Sequence, residues 1–313
     1  MDDITPHMLS TAGPPLPYVD AQIYAIGCDF LLPYLEPCGH FVEQPEEADV
    51  LLAMNSLVPG ATQMLADALR WQKPLAWWTI EDPNAFAAFL DQAQQADAVF
   101  TTDAACIPAY CARLGHDRVY WLPLACSPTF HQPLGLSEAA SDFVISANWY
   151  QNQARLWGVE TVVEPLWRAG YTLTLFCYAS FMWPPQYQRF WRGETSCRTV
   201  AEQYRYGRVV LGLNNQRRGM DRRAQTHMTS MRTFEALACG KPFLAAYSDA
   251  YERLGLVHGE HMVWVDRPAD TLAWAERLLG ADGERIAQQG RGLVLTQHTY
   301  AHRLARLAKI VLG

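Results

Sequence analysis

Two α/β domains of about equal size, each a parallel sheet wrapped by crossover helices, are what this sequence predicts. Three observations carry the expectation. The chain has 313 residues, about twice the length of a common single domain. Short apolar runs alternate with amphipathic stretches from residue 22 onward, the pattern of strands joined by helices that cross over to a parallel neighbour. That rhythm breaks at 123–140 (PLACSPTFHQPLGLSEAA), where prolines and the loss of periodicity mark a linker, and then restarts.

In the first half, 22–28 (QIYAIGC), 49–54 (DVLLAM), 74–79 (PLAWWT), 98–101 (AVFT) and 118–122 (RVYWL) read as buried strands, and 60–71, 84–95 and 104–114 have helical spacing. In the second, strands are expected at 143–147 (FVISA), 172–177 (TLTLFC), 208–213 (RVVLGL), 242–246 (PFLAA) and 261–265 (HMVWV). Helices are expected at 152–168 and 230–239, and from 268 to the C-terminus.

Half of the chain is apolar and 12% aromatic, so a sizeable core is buried and bulk disorder is excluded. The net charge of −7 argues against a surface built to grip nucleic acid. All basic residues but Lys73, Lys241 and Lys309 are arginines. Arginine suits bidentate phosphate recognition, although genomic composition alone can give the same bias. No run approaches the ~18 apolar residues of a membrane span. Residues 1–17 are acidic, then proline-rich, without the basic and apolar regions of an export signal. The eight scattered cysteines form no Cys-x-x-Cys pair, as expected of reduced thiols in a cytoplasmic protein.

Two such domains gather the carboxyl ends of both sheets around one cleft, where ligands of open α/β sheets bind. The residues just after strands are therefore the candidates: Asn55, Ser56, Glu81, Asp82, Thr102 and Asp103 in the first half, Asn148, Tyr178, Asn214 to Arg218 and Tyr247 to Asp249 in the second. Glu81 and Asp82 follow PLAWWT, and a carboxylate there can take the proton of an acceptor hydroxyl or orient it. Asp82 before Pro83 equally suits a helix cap, and Asp103 shares the ambiguity. The histidine pairs His258/His261 and His298/His302 lack a third and fourth ligand nearby, so no metal site is expected.

The segment 211–242 (LGLNNQRRGMDRRAQTHMTSMRTFEALACGKP) is the most informative. A strand ends at Asn214, an arginine-rich loop with Arg217, Arg218, Arg222 and Arg223 follows, and a helix starts near Thr229 or Ser230. A helix N-terminus presents free N–H groups and a positive dipole end, a seat for a diphosphate. The loop arginines and Arg232 would supply forked donors, with Glu235 a turn further on.

Met231–Lys241 (MRTFEALACGK) resembles the R-x-F-E-x-x-A-x-G segment of the group 1 GT-B glycosyltransferases, and more narrowly that of the CgeB-like spore-maturation branch. The sequence agrees with that branch elsewhere: LNNQRR at 213–218 is similar to its L-N-x-x-R loop, ANWYQNQAR at 147–155 to the opening of its second domain, and QHTYAHR at 297–303 to its closing helix. WWTIEDP at 77–83, VFTTDA at 99–104 and LPLACSP at 122–128 resemble its first domain.

The resemblance implies a GT-B fold, two Rossmann-like domains facing an interdomain cleft, and a nucleotide diphosphate-sugar donor, expected to be UDP-linked. On that pattern the chain divides into a loose N-terminus at 1–17, an acceptor-side domain at 18–128, a linker at 129–141, a nucleotide-sugar domain at 142–297 and a C-terminal helix at 298–313 that packs back toward the first domain. Donor contacts are expected from Asn148, Tyr178, Asn214, Arg217, Arg218, Met231, Arg232, Thr233 and Glu235, with Asp82, Glu81 and Asp103 as catalytic candidates. Glu235 matches the second glutamate of the family's E-x7-E motif, which binds the donor ribose, whereas His227 stands where the first glutamate would be. The family's Arg…Lys pair for the donor phosphates has no counterpart at 148–153, which leaves that role to the arginines. The expected activity is metal-independent, cofactor-free hexosyl transfer, with retention ahead of inversion, to an unknown glycan, protein or small-molecule acceptor. The alternatives are a catalytically degenerate two-lobed nucleotide-binding protein and a glycosyltransferase acting on nucleic acid.

Overall fold

A computed structural model describes residues 15–54, 60–83, 86–149, 155–196, 198–214 and 228–313. Among them the strands form two six-stranded sheets, parallel throughout. The first contains β1 (Val19–Ile26), β2 (Gly39–Phe41), β3 (Val50–Met54), β4 (Leu75–Thr79), β5 (Ala98–Thr101) and β6 (Val119–Trp121), ordered β2-β1-β3-β4-β5-β6. The second contains β7 (Ser141–Ser146), β8 (Leu173–Phe176), β9 (Trp191–Gly193), β10 (Gly207–Gly212), β11 (Phe243–Ala246) and β12 (Val263–Val265), ordered β12-β11-β10-β7-β8-β9. Both have the doubly wound, Rossmann-like arrangement of a GT-B fold.

Every residue of β3, β4 and β5 is buried, because helices cover both faces of a parallel sheet. In β4 the Trp78 indole N–H still finds an acceptor, the carbonyl of Leu122 at 2.9 Å. The sequence reading passes over the edge strands β2 and β9. Two expected helices also take other forms. Of 84–95, the described part is a 3-10 turn at Phe86–Ala88 and a single α-turn at Leu90–Ala93, because Phe86 and Phe89 turn inward onto Tyr110 and Trp77. The described part of 152–168 has a π-helical stretch, Val159–Val163, between two α-helical pieces. Pro165 has no N–H to return to the preceding turn, and the helix widens ahead of it.

The last helix, Tyr300–Leu312, begins at a Thr299 N-cap with a reciprocal capping box to His302. Its apolar face (Tyr300, Leu304 and Leu307) belongs to the core of the first sheet, and Tyr300 stacks on Tyr34 at 5.6 Å. Arg303 is buried beside it and donates to the carbonyls of Pro123 at 2.8 Å and Leu124 at 3.3 Å, fastening the helix to the segment that follows β6. None of the seven described cysteines forms a disulfide, and burial pushes the thiols of Cys38 and Cys177 up to about 11 and that of Cys126 to about 12. Such thiols stay protonated and behave as core side chains.

The Ala281–Gln297 helix crosses the His261 segment at Gly290, where an added Cβ would lie 2.2 Å from the His261 backbone oxygen. Gly290→Ala is therefore expected to destabilise the fold by about 1–3 kcal/mol through overpacking. An unobstructed Gly→Ala exchange in a helix would instead stabilise by up to about 1 kcal/mol. Urea denaturation measures the sign, and a gain in stability would contradict the crossing.

Candidate functional site: the cleft between the sheets

The second sheet reverses direction between β7 and β10. From β7 the chain runs to β8 and β9, then returns across to β10 and continues to β11, so the loops after β7 and β10 diverge. A crevice opens where they part. It is a cleft of about 290 Å³, with Ser146, Asn148, Arg155, Ser230 and Arg232 on one wall and Phe30, Ile80 and Glu81 of the first sheet's loops on the other.

The helix Met231–Ala238 points its N-terminus into this cleft. Ser230 is the N-cap, its Oγ accepting the N–H of Arg232 at 3.3 Å. Asn214 fixes the cap in place: its Oδ1 accepts the Ser230 N–H at 3.2 Å while its Nδ2 donates to the Tyr251 hydroxyl at 2.7 Å. Asn214 is buried and its amide is committed on both sides, so it positions the helix end instead of lining the cleft. Thr233 is buried too, hydrogen-bonded to Thr229 at 3.0 Å. Met231 bridges the halves, joining the core of the first sheet and accepting the Tyr300 hydroxyl at Sδ, 3.2 Å away.

Among the described residues Arg232 is, with Arg155, one of the two cations on the cleft wall. Its Nη1 lies 2.6 Å from Glu235 Oε2 and its Nη2 donates to Thr195 Oγ1 at 3.4 Å. Thr195 contacts Ser146 Oγ at 2.7 Å, and Ser146 donates to Gln203 Oε1 at 2.8 Å. The guanidinium is thus oriented from two sides while remaining at the cleft wall.

Glu235 is fully buried beneath Arg232 and absent from the cleft wall. Its other oxygen lies 3.5 Å from Nε2 of the buried His131. His131 Nδ1 accepts the Ser127 N–H at 3.0 Å, which leaves the proton of a neutral imidazole on Nε2, facing the carboxylate. Burial lowers the His131 pKa, with Arg232 adding to the effect and Glu235 opposing it.

Across the cleft stands Glu81. Its carboxyl is open to solvent on one side but surrounded by enough protein that desolvation raises its pKa; the charge of Arg155 opposes the shift and Asp82 reinforces it. Arg155 itself donates to the carbonyl of Asn148, which holds the guanidinium at the cleft mouth. The Asn148 side chain accepts the Tyr178 N–H at 2.7 Å, whereas the Tyr178 ring is 61% exposed and off the cleft wall.

The structure corrects two catalytic expectations. Asp82 is 1% exposed and points back into the first domain, where it accepts hydrogen bonds from Thr79, from Thr101 at 2.6 Å and from Tyr110 at 3.3 Å. The hydroxyl cage outcompetes the cleft because a buried carboxylate needs donors around it. Asp103 is the N-cap of the 3-10 turn Ala104–Cys106, accepting the Ala105 N–H at 2.9 Å. Arg217 and Arg218 lie outside the described residues, as do Arg222, Arg223 and His227.

Replacing Asp82 by Asn leaves one acceptor but turns an N–H₂ toward hydroxyls that had been donating. Asp82→Asn is expected to cost about 2–3 kcal/mol of stability, with turnover per folded molecule kept within a few-fold. Chemical denaturation and a steady-state assay of the same preparation check both halves. A drop of about 10²-fold in turnover at unchanged stability would return Asp82 to the chemistry.

The histidine pairs are engaged structurally. His298 Nε2 meets the Leu254 carbonyl and its Nδ1 meets Arg303, His302 closes the capping box, and His258 and His261 accept the N–H groups of Trp264 and Val257 through Nδ1. Sequence reasoning missed Arg155, Ser146, Thr195 and Phe30 as cleft residues. Arg155 alone carried a signal, as the last residue of ANWYQNQAR.

A family model described as "Glycosyl transferase-like" matches residues 147–309. No curated protein matches the chain. Among solved structures, sucrose-phosphate synthase from Thermosynechococcus elongatus aligns with a TM-score of 0.56 at 16% identity over 85% of this chain and 74% of that one. The Anabaena protein Alr3699/HepE, in complex with UDP, aligns with a TM-score of 0.58 at 13% identity over 93% of this chain and 98% of that one. A variant of S. aureus TarM, in complex with fondaparinux, alpha-GlcNAc-glycerol and UDP, aligns with a TM-score of 0.59 at 9% identity over 90% of this chain and 58% of that one. At these identities the likeness is one of fold.

Proposed function

Because this chain belongs to the glycosyl transferase-like family, we propose that it moves a hexosyl group from a UDP-linked sugar to a hydroxyl of a glycan, protein or small-molecule acceptor. The observation that carries the reading is Arg232, held at a helix N-terminus in the cleft where both sheets end. A diphosphate seated there meets the positive end of the helix dipole, the guanidinium of Arg232 and, from the mouth, Arg155. As the sugar–phosphate bond breaks, negative charge gathers on the departing diphosphate, and donors already fixed in place stabilise it most. Glu81, on the acceptor side, accepts a hydrogen bond from the incoming hydroxyl and aligns it with the anomeric carbon. Glu235 serves the donor through Arg232, whose guanidinium it holds.

We place the chain beside the CgeB-like branch and in the cytoplasm, and propose transfer with retention and without a divalent ion, since fixed cations take the part of a metal. Nucleotide titration by calorimetry with UDP and UDP-sugars tests the site. Donor turnover is expected to survive excess EDTA unchanged; complete loss that manganese restores would overturn metal independence.

A second reading has its own observation. The one glutamate that matches the family motif is buried away from the cleft, and His227 replaces the other. A protein that binds UDP but shows no turnover with any donor would be a nucleotide-binding relative without transferase chemistry.

A further inference from the structure

The second large concavity lies at the opposite end of the second sheet, beside the amino ends of β10 and β11. It encloses about 560 Å³, within the range of small-molecule sites. Its polar lining is predominantly cationic. Lys241 is 7% exposed, and its Nζ donates to the Gly207 carbonyl at 3.0 Å. Arg291 uses its Nε on the Ala238 carbonyl at 3.1 Å, closing the C-terminus of the Met231–Ala238 helix. Among the described residues neither Lys241 nor Arg291 has an ion-pair partner. Arg208 donates to the Leu279 carbonyl and reaches a carboxylate, that of Asp142, only at 4.0 Å. Glu284 is the one acidic residue on the lining. The facing wall is apolar, with Leu134 and Leu136 37% and 53% exposed.

Two cations without an ion pair, Lys241 and Arg291, beside exposed leucines are a costly arrangement for a ligand-free surface. Burial accordingly lowers the Lys241 pKa to about 8. An anionic head satisfies the charges, and a hydrocarbon tail covers the leucines. We propose that this pocket binds an amphipathic anion, a carboxylate or phosphate carried on an alkyl chain, with its head between Arg208, Lys241 and Arg291 and its chain along Leu134 and Leu136. The site is separate from the cleft and does not depend on the reading of the cleft as a transferase site. Forked guanidinium donors suit both carboxylate and phosphate heads.

Calorimetry with decanoate and decyl phosphate tests the proposal on the full chain. Both are expected to bind saturably at one site, at least tenfold more tightly than inorganic phosphate and than decanol, which carry the head and the tail alone. Arg291→Gln should weaken decanoate binding tenfold or more. Arg208→Gln, at a half-exposed side chain, serves as the second variant should the first fail to fold. Leu136→Ser should weaken the alkyl anions but not inorganic phosphate. Flotation with phosphatidylglycerol vesicles separates the sources: flotation lost in Arg291→Gln assigns the head to a membrane lipid, and decanoate binding without flotation assigns it to a free amphiphile. Absence of saturable binding by either alkyl anion, or equal binding by wild type and folded variants, would overturn the proposal.

Discussion

Replacing Arg232 by alanine is expected to lower kcat/KM by roughly 10²–10³-fold, the scale of one pre-positioned donor removed from developing charge. The same change strips Glu235 of its cation while the carboxylate remains buried against His131. Removing one partner of a buried pair costs about 3–5 kcal/mol, so stability falls as well, and the two effects must be separated. Arg232→Ala combined with Glu235→Gln removes the stranded charge. The double variant is expected to regain much of the lost stability and none of the turnover. Thermal denaturation and steady-state kinetics on the three proteins read this directly, and near-normal turnover in the single variant would take Arg232 out of the chemistry.

The second large effect concerns Glu81. Glu81→Gln keeps size and hydrogen-bonding shape but removes the charge that would orient the acceptor. Turnover is expected to fall about 10²-fold, with little change in stability because the side chain is open to the cleft. The pH profile adds a second readout. Desolvation raises the Glu81 pKa, so the acid limb of wild-type turnover lies above the ordinary carboxylate range: activity is lost as pH falls through that raised value and the carboxylate takes a proton. In Glu81→Gln that limb disappears. An acid limb that persists unchanged would assign the titration to another group.

The sheets were readable because a strand buried on both faces needs an unbroken apolar run, and PLAWWT or AVFT can be little else in a chain of this rhythm. Strands β2 and β9 escaped because three residues at a sheet edge, half solvated, leave no such run. The break in 84–95 was hidden because only the fold shows that Phe86 and Phe89 have a core to enter. Position after a strand pointed to Glu81 and the N-cap signal to the Ser230–Arg232 helix end, but neither says which way a side chain turns. Asp82 follows Glu81 directly and faces the opposite way, toward the hydroxyls of Thr79, Thr101 and Tyr110, which are far apart in sequence. Glu235 shows the same gap: the motif marks the residue, while its buried neighbour at 3.5 Å is His131, a residue of the linker that no spacing ties to it.

The seating of the Tyr300–Leu312 helix on the first sheet bears on the order in which the protein is made. β1 to β6 leave the ribosome first, yet the face that Tyr300, Leu304 and Leu307 cover stays bare until the whole second sheet has been synthesised. At ~5–20 residues per second that interval is on the order of tens of seconds. Throughout it the nascent first domain carries an open apolar surface, a target for chaperones, while the second sheet closes its own cores without waiting. A chain ending at residue 299 and released from the ribosome should therefore display a protease-resistant second domain beside a first domain that is still cut.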